Sequence, residues 1–387
     1  MNVLIIPSWY PDETDIVSGI FIKNQAEALA KCNHKVVVLN VKVNLARKNE
    51  TKVDLLNKTN LLEVRVANKY IGHPEEALTR YLTLLEECYL GYLINFQPDI
   101  IHSQIAFPAG VGGSLLGKVY NKPNVITEHY GPFEHQLTKK RIEINNEAIK
   151  QLIKYAFDNT DRLIAVSDLH RKQILDTHIT QREIDIIPNC VDNELFAIPP
   201  QKKSLKPINI LFAGFITKDK GADLLIDAAI DLAKEKKDFI LTLVGRGDLL
   251  EPLKAKVKLN HIDHQVKFTG AIEQRKLAKL MAESDFFVFP SLHETFGCIL
   301  IEAAACGKPI VCSLTGVAGE IVSLETGLLI NPSNPESLVE GMKKMMTDYP
   351  KYDAVKIRAG VQRFFAQSVV GQMVDLYKSV IERYNND

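Results

Sequence analysis

The sequence predicts an α/β protein with two Rossmann-like domains. Short apolar runs rich in β-branched residues alternate with longer amphipathic stretches, a pattern typical of parallel strands joined by crossover helices. The pattern breaks at residues 198–207, where prolines and lysines have no apolar period, and then resumes. A chain of 387 residues is long enough for each domain to bury its own core.

The first domain is assigned to residues 1–200. Its N-terminal apolar run is too short for the core of a signal peptide and is interpreted as a first buried strand. Helical patterns separate most of the later runs, as crossover connections require. The strand candidates are residues 3–6, 36–41, 62–66, 100–102, 125–127, 163–166 and 184–187.

The second domain is assigned to residues 208–364, after a linker at residues 201–207. The stretch at about residues 355–383 has the apolar spacing of a helix whose apolar face must pack against another part of the protein. Residues 365–387 are expected to pack back on the first domain. The strand candidates of this half are residues 208–213, 240–244, 266–268, 286–289, 310–312 and 328–330.

Composition limits the classes of function. Basic and acidic residues balance at 47 each, so no net positive charge attracts the chain to nucleic acid. No nucleic-acid partner is expected. Six scattered cysteines suit a reducing compartment, and no apolar run has the length of a membrane span, so we expect a cytoplasmic protein. A mildly basic stretch at residues 137–172 indicates peripheral contact with the inner face of a membrane, an acceptor-docking face or, more simply, a solvated helix face.

The segment after residues 286–289 is the most informative. Seven residues separate Glu294 from Glu302, and Gly297 lies between them at a helix start, where backbone N–H groups and the helix dipole favour a diphosphate. The two carboxylates are suited to different hydroxyl groups of one extended ligand. The simpler interpretation, that Glu302 is a solvated helix residue, is weakened by its apolar neighbours.

Loops at the ends of other strands supply weaker candidates. Lys220 is suited to neutralising phosphate oxygens, although lysines in such loops are commonly just solvated. His129 is either a hydrogen-bonding group near a reacting centre or a structural histidine. Since open parallel sheets bind ligands at the carboxyl ends of their strands, the loops containing Gly19, His102 and Tyr130 are expected to face a cleft between the domains.

Taken together, these segments closely resemble glycosyltransferase family 4, a group of retaining enzymes with the two-domain GT-B fold. The pair Glu294 and Glu302 is similar to the family's E-x7-E motif, and the match runs in register through both halves. The resembling segments are residues 18–21, 99–102, 127–129, 165–167, 187–192, 214–221, 243–248, 268–270 and 284–332.

The resemblance implies roles for individual residues. Glu294 would contact hydroxyl groups of the donor sugar, Lys220 would balance the charge of the diphosphate, and His129 would lie near the anomeric carbon, which makes these three the catalytic residues. Glu302 would contact the ribose. The other donor-binding residues would be Gly19, Gly214, Lys218, Arg246, Gly270, Ala271, Ile272, Phe296, Gly297 and Cys298, and the acceptor side would contain His102, Gln104 and Tyr130.

The chain departs from the family pattern near these residues. Phe215 stands where the family usually has an arginine, which removes one guanidinium clamp on the phosphates, and Lys218 or Arg246 would have to compensate. Gln104 replaces a histidine often found in the family, while Cys190 and Thr295 each replace a glycine.

The implied activity is hexosyl transfer from a nucleoside diphosphate sugar to a saccharide or lipid-linked acceptor, in polysaccharide or glycolipid biosynthesis. No metal or other cofactor is expected, because the sequence has no Asp-x-Asp triplet and the cationic groups above would replace a metal. The alternatives are a catalytically silent nucleotide-sugar-binding subunit and an epimerase or phosphorylase of the same fold. The base, the sugar, the acceptor and the oligomeric state are left open.

Overall fold

The computed structural model describes residues 1–130, 146–200, 207–235, 237–331 and 334–386. The chain divides into two compact units. The first comprises residues 1–189 together with residues 366–387, and the second comprises residues 190–365.

The first unit is built round an eight-stranded sheet. Short helical turns lie at Pro74–Glu76, Tyr89–Leu93 and Ala106–Gly110. In chain order, the strands and longer helices before residue 190 are β1 (Asn2–Pro7), α1 (Ile20–Lys31), β2 (Lys35–Leu45), β3 (Glu50–Lys58), β4 (Leu61–Tyr70), α2 (Ala77–Cys88), β5 (Ile100–Gln104), α3 (Val111–Tyr120), β6 (Asn124–Glu128), α4 (Asn146–Asp158), β7 (Arg162–Ala165), α5 (Asp168–Asp176) and β8 (Ile184–Ile186).

The strand order of this sheet is β3-β4-β2-β1-β5-β6-β7-β8. Each strand predicted for the first half of the chain is present, and the described pairs are parallel except β3 with β4. No strand was predicted at β3, because this edge strand is mostly exposed and polar and no apolar run marks it. Buried side chains of α2 pack over β1, β2 and β4, and those of α4 pack over β6 and β7.

The second unit contains a six-stranded sheet in the order β11-β10-β9-β12-β13-β14, with parallel pairing throughout. Its elements are β9 (Ile208–Ala213), a turn at Lys218–Lys220, α6 (Ala222–Lys234), β10 (Phe239–Val244), α7 (Leu250–Leu259), β11 (Val266–Gly270), α8 (Gln274–Glu283), β12 (Phe286–Phe289), α9 (Cys298–Ala305), β13 (Ile310–Ser313), α10 (Ala318–Ile321), β14 (Gly327–Ile330), α11 (Pro335–Asp348), a turn at Tyr349–Lys351 and α12 (Ala354–Ala359).

The strands of the second unit also lie where the apolar runs predict them. All four residues of β12 are buried, as expected for a central parallel strand that is covered on both faces. The central strands β12 and β13 are therefore marked by continuous apolar runs, whereas the edge strand β11 alternates buried and more exposed residues.

The first unit ends earlier than the sequence analysis placed the end of the first domain. Residues 190–200 belong to the second unit, because Val191 forms a β-bridge with Phe365 and because Arg358 binds carbonyl oxygens of this segment. The guanidinium of Arg358 donates to the carbonyl oxygens of Asn193 at 2.9 Å and Phe196 at 2.8 Å. The predicted linker at residues 201–207 lies outside the described residues except for Pro207.

The C-terminal stretch is not the single helix that its apolar spacing predicts. It contains α12, a turn at Gln362–Phe364 and α13 (Ala366–Asn386). The chain leaves the helical path because Phe364 is buried in the second unit, where its ring meets Phe296 edge-on with 5.8 Å between centroids. In contrast, α13 packs on the first unit, where Tyr384 bonds to Asn121 at 3.1 Å.

Candidate functional site

The strand order of the second sheet creates a crevice at the carboxyl end of β9. From β9 the chain moves to β10 and β11 on one side, and it later resumes with β12 on the other side. The loops after β9 and β12 therefore separate at a topological switch point, the place where open parallel sheets bind ligands. The first sheet has its switch point between β1 and β5. Most of the predicted site residues lie in loops at these two places.

Lys220 and Glu294 form an ion pair in the crevice of the second unit. Lys220 Nζ lies 2.5 Å from Glu294 Oε1 and also donates to the carbonyl oxygen of His293 at 3.2 Å. The buried Ser291 hydroxyl donates to the same Glu294 oxygen at 2.9 Å. The side chains of Lys220 and Glu294 are 23% and 11% exposed, so a ligand in the crevice can reach both. The pair offers a cation to a phosphate oxygen and an acceptor to a hydroxyl group.

A close backbone approach holds the two loops of this crevice together. Gly221 has a φ of 67°, and a Cβ at this residue would lie 2.1 Å from the carbonyl oxygen of Pro290. The Leu292 N–H donates to the carbonyl oxygen of Asp219 at 2.8 Å. Because only glycine combines this φ with such an approach, Gly221 allows the adjacent Lys220 to reach across to the β12 loop.

The helix α9 begins in the same loop. Gly297 is its N-cap residue with a φ of 87°. Backbone N–H groups at a helix start have no acceptor within the helix, and the helix dipole favours an anion there. The predicted donor-binding residues Phe296, Gly297 and Cys298 thus surround a helix start. The ring of Phe296 is buried in the core, so only the backbone of this residue is available to a ligand.

Glu302 lies in the second turn of α9 and is buried. Burial raises the pKa of its carboxyl group to about 8, and a hydrogen bond with the Gln274 side chain acts in the opposite direction. A carboxyl group with this pKa is largely protonated near neutral pH and can both donate and accept. The solvated-helix interpretation of Glu302 is therefore wrong. Gln274, which begins α8, was missed because a polar residue at a helix start carries no distinguishing pattern.

The loop that contains Arg246 is fixed against the loop after β9. A Cβ at Gly245 would lie 1.8 Å from the carbonyl oxygen of Gly214, and one at Gly247 would lie 2.2 Å from that of Ile216. The Ile216 N–H donates to the carbonyl oxygen of Arg246 at 2.9 Å. This packing accounts for the glycines on both sides of Arg246.

The remaining predicted donor residues lie around the same crevice edge. Lys218 is exposed, and so is Phe215, at 39% of its surface. Gly270 ends β11 with a φ of 72° and has open space beside its Cα, while Ala271 and Ile272 are half-buried and lead into α8. Phe215 therefore places an apolar ring at the surface where the family pattern has a guanidinium group.

In the first unit, Gly19 brings the start of α1 next to His129. Gly19 has a φ of 76°, and a Cβ there would lie 2.3 Å from the carbonyl oxygen of Trp9. The ring of Phe21, on the first turn of α1, lies over the His129 ring with 4.5 Å between centroids. Trp9 meets the ring of Tyr130 edge-on at 5.4 Å. The loops after β1 and β6 are thus packed together by their aromatic side chains.

Glu128 fixes the backbone of the β6 loop. This fully buried carboxyl group accepts hydrogen bonds from the N–H groups of Ala106 at 2.8 Å and of His129 and Tyr130 at 2.9 Å each. Burial raises the pKa of Glu128 to about 7, while the three backbone donors favour the charged form. Glu128 belongs to a segment that resembles the family, residues 127–129, but no role was predicted for it.

His102 and Gln104, predicted on the acceptor side, lie inside the first unit. They are 1% and 0% exposed, so neither side chain offers surface to an acceptor in this structure. His102 Nδ1 bonds to the Tyr377 hydroxyl at 2.5 Å, and Gln104 Oε1 lies 2.6 Å from His129 Nε2. Gln104 thus contacts His129 directly, and His102 contacts Gln104 in turn. Tyr377 lies in the stretch whose apolar spacing predicts a helix, and no role was predicted for it.

Burial keeps the histidines of this unit neutral. It lowers the pKa of His102 to about 3 and that of His170 to about 4. It also lowers the pKa of His129 well below its usual value, and the neighbouring His170 and His102 act in the same direction. His129 therefore presents an uncharged imidazole near pH 7.

Among the described residues, no group of three or more His, Cys, Asp or Glu side chains is placed to hold a metal ion. No helix in the same part of the chain is both long and apolar enough to cross a membrane. The six cysteines, all of which lie in described segments, are free thiols.

Two family models together match most of the chain. The model described as "Glycosyl transferases group 1" matches residues 195–360, and the model described as "Glycosyltransferase Family 4" matches residues 18–195. The chain belongs to glycosyltransferase family 4. An uncharacterised glycosyltransferase of Methanocaldococcus jannaschii is 32% identical over 252 residues, which cover 65% of this chain and 66% of that protein.

Solved structures share the fold of this family 4 glycosyltransferase. Sucrose-phosphate synthase from Thermosynechococcus elongatus matches with a TM-score of 0.80 and 20% identity, covering 99% of this chain and all of that one. Anabaena HepE in complex with UDP and glucose matches with a TM-score of 0.74 and 17% identity, covering 98% of this chain and all of that one. The α/β class and the GT-B fold are confirmed, and the enzyme is a glycosyltransferase of the hexosyltransferase type (EC 2.4).

Proposed function

We propose that this enzyme is a retaining, metal-independent glycosyltransferase that takes a hexosyl group from a nucleoside diphosphate sugar. The observation that carries the proposal is the ion pair of Lys220 and Glu294 at the switch point of the second sheet, beside the start of α9. One crevice there offers a cation, a helix N-terminus and a carboxylate. A diphosphate joined to a sugar needs these three partners.

Each group has a proposed task in donor binding. The ammonium group of Lys220 and the N–H groups at the start of α9 bind the diphosphate and stabilise the charge that grows on it as it leaves. Glu294 accepts hydrogen bonds from sugar hydroxyl groups, and Glu302 binds the ribose. In the ligand-free ion pair each charge already has a partner, so donor binding exchanges this contact for contacts with the ligand.

The proposed reaction proceeds on one face of the sugar. The bond between the anomeric carbon and the diphosphate oxygen breaks while the acceptor oxygen bonds to the same carbon from the same side. The acceptor proton passes to the departing diphosphate oxygen, so the anomeric configuration is retained. The protein contributes positioning and charge stabilisation, and His129 is proposed to lie near the anomeric carbon.

A catalytically silent sugar-nucleotide-binding subunit is the second candidate. The observation that favours it is Phe215, an exposed apolar side chain at the position where family 4 usually has an arginine.

If the enzyme is active, Arg246 is the cation that we propose replaces this arginine. The backbone carbonyl group of Arg246 accepts a hydrogen bond from the N–H of Ile216, the residue after Phe215. Binding of a nucleoside diphosphate without turnover of any matching sugar would support the silent subunit.

Calorimetry against a panel of nucleoside diphosphates, followed by turnover of the matching sugars, tests the proposal. UDP and UDP-glucose are the first pair to try, because the HepE structure contains UDP and glucose. Lys220→Met should strongly weaken binding of the diphosphate. Lys254→Met is the matched control, because Lys254 forms an exposed pair with Glu251 at 2.7 Å that contributes little. Equal affinity of wild type and Lys220→Met would contradict the proposed site.

The acceptor is proposed to be a hydroxyl group of a saccharide or a lipid-linked saccharide, in polysaccharide or glycolipid biosynthesis. We propose a cytoplasmic location, which suits the free thiols, with peripheral contact at the inner face of a membrane. Part of the basic stretch at residues 137–172 that suggested this contact lies outside the described residues. A glycan and glycolipid acceptor array, with and without anionic vesicles, tests both expectations.

A further inference from the structure

The buried amides next to His129 form a chain of hydrogen bonds with a single direction. His129 Nε2 lies 2.6 Å from Gln104 Oε1, Gln104 Nε2 donates to Gln25 Oε1 at 3.2 Å, and Gln25 Nε2 donates to Asn189 Oδ1 at 3.2 Å. The residues are buried, with at most 6% exposure. An amide oxygen only accepts, so the His129 nitrogen that faces Gln104 must carry the proton.

The Gln104 amide is also held from its other side. Gln104 Nε2 lies 3.2 Å from His102 Nε2. His102 is fixed in turn by the Thr127 hydroxyl at 2.7 Å and the Tyr377 hydroxyl at 2.5 Å. Turning the Gln104 amide over would place its oxygen against the oxygen of Gln25, so the reverse arrangement requires Gln25 and Asn189 to turn as well. A reversal of the chain therefore requires the three amides to turn together.

We propose that Gln104 is a positioning residue that fixes His129 as the tautomer with its proton on Nε2 and with Nδ1 as the acceptor nitrogen. The catalytic consequence rests on the function proposed above for His129, whereas the tautomer itself does not. Where family 4 often has a histidine, Gln104 has no titratable proton. The tautomer of His129 is thus set by a group whose own state does not change with pH.

The titratable groups around His129 come from several elements. His102 on β5 and His170 on α5 act on it electrostatically, and Glu128 at the end of β6 binds its backbone N–H. Tyr377 on α13 lies behind His102. The Phe21 ring of α1 covers the imidazole. Because burial keeps the imidazole neutral, its tautomer decides which nitrogen donates and which accepts.

Nitrogen NMR of the full-length protein with ¹⁵N-labelled histidine tests the tautomer. His129 is assigned by the signal that disappears in His129→Asn. We expect the proton on Nε2 in wild type and a mixture of tautomers in Gln104→Met, which keeps the size of the side chain but lacks the acceptor. The same variant should lose about tenfold in kcat with KM for the donor changed less than about twofold.

Gln104→Glu distinguishes an effect on the state of His129 from a general disturbance of the structure by the substitution. It keeps an acceptor for the Nε2 proton but adds a negative charge, which favours the imidazolium. The NMR signal should therefore keep its Nε2 proton at high pH, and the acid side of the kcat profile should move to higher pH by about one unit or more. A profile that matches wild type would overturn the proposal.

Tyr377→Phe provides a second route if Gln104→Met fails to fold. It removes the hydroxyl that holds His102 and should lower kcat about threefold with some loss of the Nε2 tautomer. Tyr81→Phe is the matched control, because Tyr81 is buried in the same unit and its hydroxyl has no hydrogen-bond partner among the described residues.

The outcomes distinguish this inference from the proposed function. An unchanged Nε2 proton in both Gln104→Met and Tyr377→Phe would overturn the inference. A changed tautomer with unchanged kcat would overturn its catalytic part. If wild type transfers no sugar from any nucleoside diphosphate, the proposed function fails, while the NMR result still confirms or overturns the tautomer assignment.

Discussion

The ammonium group of Lys220 lies 2.5 Å from a carboxylate oxygen of Glu294, although 74 positions separate the two residues in sequence. The contact exists because β9 and β12 are neighbours in the sheet and the loops that follow them meet at the switch point. Ser291 and the backbone of His293 hold the pair in place. The ion pair is the structural core of the proposed donor site.

Replacing either member of this pair should abolish most of the activity. We expect Lys220→Met and Glu294→Gln each to lower kcat/KM about 100- to 1000-fold, the effect of removing one preorganised charged group from a transition state. The loss of kcat/KM in the double variant should be much smaller than the product of the two single losses, because the two groups act together on one ligand. Steady-state kinetics of the four proteins measure this coupling, and fully independent effects would contradict it.

Stability provides the control for these kinetic losses. The pair is only partly buried, so each variant should unfold within about 1 kcal/mol of wild type. Lys254→Met, at an exposed ion pair on α7, should leave both activity and stability unchanged.

Gly221→Ala should destabilise the protein, whereas Gly371→Ala should stabilise it. An alanine Cβ at residue 221 would lie 2.1 Å from the Pro290 carbonyl oxygen, at a φ of 67°. We expect a loss of more than about 2 kcal/mol. Gly371 lies within α13 with open space around it, so alanine should add about 0.5–1 kcal/mol through its helix propensity. Urea unfolding measures both, and equal effects at the two sites would contradict the account.

Glu302 should make stability depend on pH. Its folded-state pKa is raised from 4.5 to about 8 by burial. Between these two values the unfolded chain has lost the proton that the folded chain retains. The free energy of unfolding therefore falls as pH rises through this window, by up to about 1.4 kcal/mol per pH unit, and Glu302→Gln should flatten the decline.

The measurement is denaturant unfolding at several pH values across that window. Glu128, whose pKa burial raises to about 7, contributes in the same direction, so part of the slope should remain in Glu302→Gln. Glu251→Gln, at an exposed residue of α7, is the control and should follow wild type. A Glu302→Gln profile identical to wild type would show that this carboxyl group is ionised in the folded protein.

Chelation should leave turnover unchanged. In the proposed mechanism Lys220 and the start of α9 stabilise the diphosphate, so EDTA is expected to have no effect on initial rates and manganese no stimulating effect. Initial-rate assays with metal-free buffer and purified donor test this. Loss of activity with EDTA and recovery with manganese would contradict metal independence.

The sequence was sufficient for the elements that apolar runs define. The buried strands β9 and β12 and the helix start at Gly297 lie where pattern and turn residues predict them, because burial on both faces leaves a continuous apolar signal. The edge strand β3 was missed because it is exposed and polar. The turn at Gln362–Phe364 interrupts a stretch whose apolar spacing also fits a helix, and it precedes the helix expected at residues 365–387.

The site was only partly predictable for a related reason. Sequence patterns identified Glu294, Lys220 and His129 as separate candidates, but the contact between Lys220 and Glu294 depends on strand order, which local patterns do not encode. The burial of Gln104 and the contribution of Tyr377 depend on the packing of α13 against the first unit. Such tertiary contacts decide whether a polar residue meets a ligand or supports another side chain.

The anomeric configuration of the product is the most direct test of the central claim. Proton NMR of the glycoside formed from an α-linked nucleoside diphosphate sugar, recorded early in the reaction, distinguishes the α from the β product. The account predicts an α-glycoside from wild type and about 100- to 1000-fold slower product formation by Glu294→Gln. A β-glycoside, or full turnover in Glu294→Gln, would contradict it.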